Sequence, residues 1–285
     1  MADNTRTNTL QRLLRLWGLY ARMDLLWMLR DGRQFAIYAL SDLITNIGSV
    51  TAVLLLAARF AGIGPWNEWQ VVFLLGYAMV VNASMNMLFQ YNVLHISRRI
   101  GRGQMDHTLI QPQPLWMALV TEGFMPVSGS AMLWPGLGLL IWALVRLQMT
   151  VTIGWLAAAA LNLAASALVM LSFSFIWGSL AFWAPRAAEE ISSAAVDLVS
   201  QLKGFPLDAL GPVLLGGLLT VLPVGFVAWY PARCLLGLEA RPWAVLVTPL
   251  AALLFAVLAA FVFWRGMKHY ANVGSQRYSA FGHRS

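Results

Sequence analysis

The chain has 285 residues, 59% of them hydrophobic and 11% charged. About a quarter of an ordinary soluble domain is charged, so a water-exposed globule is excluded and a bilayer is the natural solvent. Net charge is +7 and Cys234 is the single cysteine, which excludes a disulfide scaffold and a structural zinc site.

In chain order, residues 1–34 read as a basic arm. Residues 10–28 are too interrupted by arginine to span a membrane. Leu10, Leu13, Leu14, Trp17, Ala21 and Met28 fall near one helical stripe, while Arg12, Arg15 and Arg22 share another. That pattern predicts a helix lying in the membrane interface, with packing on a partner protein as the alternative. A transmembrane helix needs about 20 mostly apolar residues. Spans are predicted over 36–58, 71–94, 115–145, 151–183 and 243–264. The runs are too long, and alternate too little, for membrane strands. The fold class is therefore an all-α integral membrane protein. The first run lies too far into the chain, and is too long, for a signal peptide, so it is expected to stay as a helix.

The fifth crossing has two candidate positions. Hydropathy favours 212–231, which Pro223 and Gly225 interrupt. The other reading puts a short polar span over 190–204, followed by a broken re-entrant pair before the last span; Pro206, Pro212, Pro223 and Pro231 suit that breakage. Irregular backbone at membrane depth is tolerated only under protein or beside a water cavity. Thirteen of the nineteen basic residues lie in the arm, in the connection after span two and in the tail 265–285. With six crossings over 35–264, all three segments share the cytoplasmic side, as the positive-inside rule requires. Clustering at span ends is also why this basicity is not read as nucleic-acid binding.

The connection 95–114 carries the most local information. Gly101 and Gly103 interrupt the helix leaving span two. Asp106 can cap or open a short helix, and Pro112 and Pro114 end it before span three. A helix of about one to two turns is predicted there. Among polar residues in the apolar runs, Asp42, Glu122 and Asp197 are candidate pathway or interhelical groups, because a charge at membrane depth faces the bundle interior. Asn82, Asn86 and Gln90 share one face of span two, within reach of Asn46 in span one. Interhelical amide bonds are the simpler account of these, with substrate contact as the alternative. Ala160, Ala164 and Ala167 form a small-residue ridge expected to pack against a neighbouring helix.

No catalytic or metal constellation emerges. His95, His107, His269 and His283 lie outside the spans without metal spacing. Ser128 and Ser130 have no histidine at matching depth. The two lysines, Lys203 and Lys268, sit in no phosphate-binding loop, so any ATP hydrolysis belongs to another chain.

The pattern Gly103-x-x-Asp106-x-x-Leu109-x-x-Pro112 after the second span resembles the coupling-helix loop of ABC-2 type permeases. The order Gly204-Phe205-Pro206, Leu222-Pro223, Tyr230-Pro231-Ala232 and Leu235-Leu236-Gly237 resembles the segment before their last span. The ending Trp264-Arg265-Gly266-Met267-x-x-Tyr270-x-x-x-Gly274 is similar as well. The likeness is greatest to the six-span bacterial branch that includes daunorubicin-type and viologen exporter permeases. Gln104-Met105 and the Glu189-Glu190 pair depart from the commoner pattern.

The resemblance implies a transport subunit rather than an enzyme. It implies a multi-pass chain in the bacterial cytoplasmic membrane, with cytoplasmic termini and re-entrant helices before the last span. A separate ATPase would hold ATP and magnesium, a second permease would complete a homo- or heterodimer, and the chain itself would bind no cofactor. Gly103, Asp106, Leu109 and Pro112 are the expected coupling residues. The implied cargo is an amphipathic small molecule or a lipid-like or glycan substrate. Two alternatives stand beside this reading: a proton-coupled secondary transporter working through Asp42 and Glu122, and a scaffold subunit without transport.

Overall fold

The computed structural model describes residues 9–59, 64–93, 96–101, 103–111, 115–208 and 210–273. Among them the regular secondary structure is all helical, with no β-strand. The arm forms α1 (Thr9–Arg30) and leads through Asp31 into α2 (Gly32–Arg59). Next come α3 (Glu68–Val93), α4 (Ile96–Gly101) and α5 (Gln104–Leu109). The third apolar run yields α6 (Leu115–Thr121) and α7 (Leu133–Arg146), and the fourth yields α8 (Ile153–Gly178). The polar stretch beyond is α9 (Pro185–Leu202), followed by α10 (Pro212–Thr220), a π-helical turn, α11 (Tyr230–Leu235) and α12 (Val247–Val273).

The helix apolar on every side is the one at the centre, as burial all round requires. Val71 to Val81 of α3 are almost wholly buried, under α7, α8 and α11. The closest approach lies between α3 and α7. A Cβ on Gly76 would sit 2.9 Å from the Leu140 backbone nitrogen and 3.0 Å from the Gly136 carbonyl. Small residues permit this backbone contact. The ridge expected on α8 packs differently. Ala160 and Ala164 are exposed, whereas Ala167 meets the core as expected, together with Ala158, Ala159 and Ala165. α12 packs along α8 and turns Leu253, Leu254, Val257, Leu258 and Phe261 outward, a face suited to lipid.

Four helical segments among the described residues are long and apolar enough to cross a membrane: Glu68–Phe89, Ser128–Arg146, Ile153–Phe182 and Pro242–Val273. A bent pair, Pro212–Thr220 with Gly225–Leu235, would add a fifth if it were one span, but its halves meet at 80°. The third apolar run is not the single helix over 115–145 that hydropathy suggests. It breaks after Thr121, where Gly123 takes a left-handed φ of +94° and Pro126 supplies no amide. α9 runs antiparallel to α3. Glu189 near its start meets Arg98 just beyond the end of α3, and Asp208 beyond its end meets Trp66 just before α3 begins.

Candidate functional site

α5 is a six-residue helix held on one side and bare on the other. Gly103 occupies its cap position at φ +69°, a left-handed conformation that glycine adopts without strain. The cap is thus Gly103, not Asp106. Asp106 sits in the first turn, where a carboxylate suits the helix dipole, and its Oδ1 accepts a hydrogen bond from the Tyr270 hydroxyl of α12. Met105 is fully buried among Ile100, Leu119, Phe182, Ala188 and Tyr270. Thr108 is buried and accepts from the Arg99 guanidinium at 3.0 Å. On the opposite side Leu109 is 44% exposed and Ile110 80% exposed, with His107 exposed beside them. An apolar tip therefore stands on a stem fixed by packing and hydrogen bonds. Pro112 lies outside the described residues.

The break in the third run lies next to this stem. Arg99 pairs with Glu122 at 2.6 Å, and Gln111 Nε2 donates to the same carboxylate at 3.5 Å. Glu122 thus marks the end of α6 and pairs with Arg99 of α4 and Gln111 beyond α5, rather than lying within a straight span. Burial raises the Tyr20 hydroxyl's pKa, Glu122 adds to the rise, and Arg99 opposes it. α1 reaches the far side of the break through Asp24, which is 5% exposed. Its Oδ2 accepts from the Val127 and Ser128 amides at 2.9 and 3.1 Å, and its Oδ1 from the Ser128 hydroxyl at 2.5 Å. Trp17 stacks on Phe124 with ring centroids 5.5 Å apart. Trp17, on the apolar stripe of the predicted interfacial helix, therefore packs on the chain's own break.

The remaining candidates separate. Asn82 accepts from the buried Lys203 ammonium at 2.9 Å, tying span two to the end of α9. The Asn86 backbone is pressed against Gly129, where an added Cβ would sit 2.8 Å away. Asp197 is exposed on α9. The side chains of Asp42, Asn46 and Gln90 lie outside the described residues.

A second polar cluster sits at the other end of α3. Asp208 accepts from the indole N–H groups of Trp66 and Trp229, the latter at 2.7 Å, and it pairs with Arg233. Arg233 also pairs with Glu239 at 3.0 Å and lies over the Trp229 ring. Asp208 thus joins the segment before α3 to the bent pair.

Sequence reasoning missed Asp24, Arg99, Lys203 and the Asp208 cluster as site residues. Asp24 had a usable signal, since it is the one acid within the arginine-rich stripe of 10–28. Tyr270 lay in a recognised ending motif, but nothing local pointed from it to Asp106, 164 residues away.

A bundle of membrane-length helices, with a short helix held out beside it on buried anchors, defines a multi-pass membrane protein. The family profile described as ABC-2 family transporter protein matches residues 43–274, most of the chain, and the chain belongs to that family. No curated protein and no solved structure matches it. Membership establishes a multi-pass membrane protein and implies an ATPase partner and dimerisation in general terms.

Proposed function

We propose that this chain is the permease subunit of an ATP-driven exporter in a bacterial cytoplasmic membrane, with α5 seated in a groove of a separate ATPase. The observation carrying this reading is the tip of α5. Leu109 and Ile110 are exposed, while Met105, Asp106 and Thr108 fix the stem to α4, α6 and α12. An isolated six-residue helix would not persist in water. Here tertiary anchors hold it ready for a partner. Gly103, Asp106, Leu109 and Pro112 are the coupling residues: Gly103 opens the helix, Asp106 fixes it to Tyr270, and Leu109 enters the groove.

Six crossings fit this role, with α9 as the fifth and the bent α10–α11 pair as a re-entrant element on the outer side. Support comes from the contacts at both ends of α9, which carry it from the Arg98 end of α3 to the Trp66 end. An 18-residue helix covers about 27 Å, close to the hydrocarbon thickness. Glu190, Ser193, Asp197 and Gln201 form an exposed polar stripe along α9. A charge at bilayer depth costs roughly 2.5–3.5 kcal/mol on insertion scales, so this stripe faces a second permease and the path between the two halves. Both termini then lie in the cytoplasm. ATP and magnesium are held by the partner, and closure of the partner shifts the permease only as far as α5 binds its two states differently. The cargo class is an amphipathic small molecule or a lipid-like or glycan substrate. The Arg99–Glu122 pair counts against a proton path through Glu122.

The test is purification in mild detergent with mass spectrometry of bound subunits. An ATPase should copurify with the wild-type chain and be lost from Leu109→Asp. A chain that purifies alone, or a variant that keeps its ATPase, would remove the basis of this reading.

A further inference from the structure

Three elements converge on the break between α6 and α7, and each holds a different part of it. Arg99 contacts the α5 residue Thr108 at 3.0 Å and Glu122 at 2.6 Å, both through one guanidinium nitrogen. Glu122 is the residue immediately after α6. On the other side of Gly123, the Asp24 carboxylate holds the Val127 and Ser128 amides and the Ser128 hydroxyl. Between these two grips, Met125 donates its amide to the Met87 carbonyl of α3 at 2.8 Å.

The mechanical consequence follows from stiffness. α6 and α7 are helices, with their backbone hydrogen bonds satisfied internally. The compliant part is the turn over 122–127, where Gly123 has φ +94° and Pro126 donates no amide. A displacement of α5 is delivered through Arg99 to the end of α6. A displacement of Val127 and Ser128, on the stretch leading into α7, is delivered through Asp24 to α1. Both charged grips are well enclosed: Asp24 is buried, and Arg99 and Glu122 are each about four-fifths buried. Exposed ion pairs make poor couplers, because water and salt compete for them. The planar guanidinium also fixes direction as well as distance.

We propose that the break in the third span is the joint through which the coupling helix moves the permease, with Arg99 and Glu122 as its positioning residues on the α5 side and Asp24 on the α1 side. α1 is then a working lever of the transporter and not only a membrane anchor. The α5 side of this proposal rests on the coupling-helix reading given above. The mechanical connection between α5, the break and α1 does not depend on that reading and is measurable in the chain alone.

Hydrogen exchange on the chain in lipid nanodiscs reads the connection. Asp24→Asn should speed exchange at least threefold over 124–130 and also over Gln104–Leu109, which Asp24 does not touch. Glu122→Gln should do the same in α5 and in α1. Arg99→Lys keeps the charge but loses the planar fork, so it serves if Glu122→Gln does not fold, and it should produce a smaller change with the same spread. Acceleration confined to each residue's own contacts would overturn the joint. With the copurified ATPase present, trapping by ATP and vanadate should protect 124–130 in the wild-type complex and leave Glu122→Gln, with its ATPase still bound, unprotected. Equal protection in the two complexes would also overturn it. A chain that binds no ATPase yet shows the long-range exchange response would defeat the export reading and leave the mechanical joint standing.

Discussion

Gly266 of α12 gives the sharpest test of the packing that supports α5. A Cβ at this position would lie 2.2 Å from Phe182 Cδ2 and 2.9 Å from both Cε2 and Cγ of the same ring. The ring is enclosed by its neighbours. Phe182 is 2% exposed and stands against Phe263 at 5.6 Å and Tyr270 at 5.8 Å between ring centroids. Gly266→Ala must therefore move a ring by more than 1 Å to restore ordinary carbon contact near 3.5–4 Å. Overpacking of this kind costs about 1–3 kcal/mol, or roughly 2–12 °C in the unfolding midpoint for chains of this size class. Helix propensity alone predicts the opposite sign, since alanine is favoured over glycine inside a helix by about 0.8–1 kcal/mol. Thermal unfolding of the detergent-solubilised chain separates the two. Phe182→Leu in the Gly266→Ala background should recover part of the loss, with a favourable coupling of about 0.5–3 kcal/mol in the double-mutant cycle. A Gly266→Ala midpoint at or above wild type, or a double variant at the sum of the singles, would refute the packing argument. Because Tyr270 and Met105 share this cluster, Gly266→Ala should also weaken ATPase copurification.

Three further outcomes follow from the geometry. Tyr270→Phe removes the donor to Asp106, and a hydrogen bond to a charged group contributes about 1.5–3 kcal/mol; ATPase recovery should fall with Tyr270→Phe and with Asp106→Ala, and less with Asp106→Asn, and full recovery in all three would show that the stem does not need this bond. Asp208→Ala removes the acceptor shared by two indole N–H groups and leaves Arg233 with Glu239 alone, and a buried donor left unsatisfied costs about 1–3 kcal/mol, whereas Arg98→Ala opens a pair that is 45% and 28% exposed and should cost at most about 1 kcal/mol; a midpoint for Asp208→Ala no lower than that of Arg98→Ala in the same thermal assay would contradict the burial of the Asp208 cluster. For topology, single cysteines at Glu190 and Gly211 in a Cys234→Ser background are both exposed on the chain, unlike Ser192, which is buried. A membrane-impermeant thiol reagent on intact cells should label Gly211→Cys and spare Glu190→Cys, and protection of both would return the fifth crossing to 212–231.

The sequence by itself determined what depends on neighbours in the chain. Apolar run length specified membrane-length helices, and the arginine-interrupted stripe of 10–28 specified α1. Gly101 and Gly103 with the polar and charged residues after them specified a short helix, because helix interruption by glycine and a first-turn carboxylate are local properties, while the cap fell to Gly103 rather than to Asp106. The order of three weak motifs was enough to indicate the family. Within the third apolar run, Gly123 and Pro126 were visible, but composition is indifferent to whether they kink a helix or end it. That was decided by Asp24 and Met87 taking the backbone groups that the broken helix leaves open. The polar stretch after Phe182 was ambiguous for the same reason. Its course along α3 follows from Arg98–Glu189, Lys203–Asn82 and Trp66–Asp208, pairs that lie 91, 121 and 142 residues apart. Local periodicity carries no term for such pairs, because a buried charge takes whichever partner the completed bundle brings to it. Only the tertiary structure therefore set Tyr270 against Asp106, Lys203 against Asn82, and Arg99 between the coupling helix and the break.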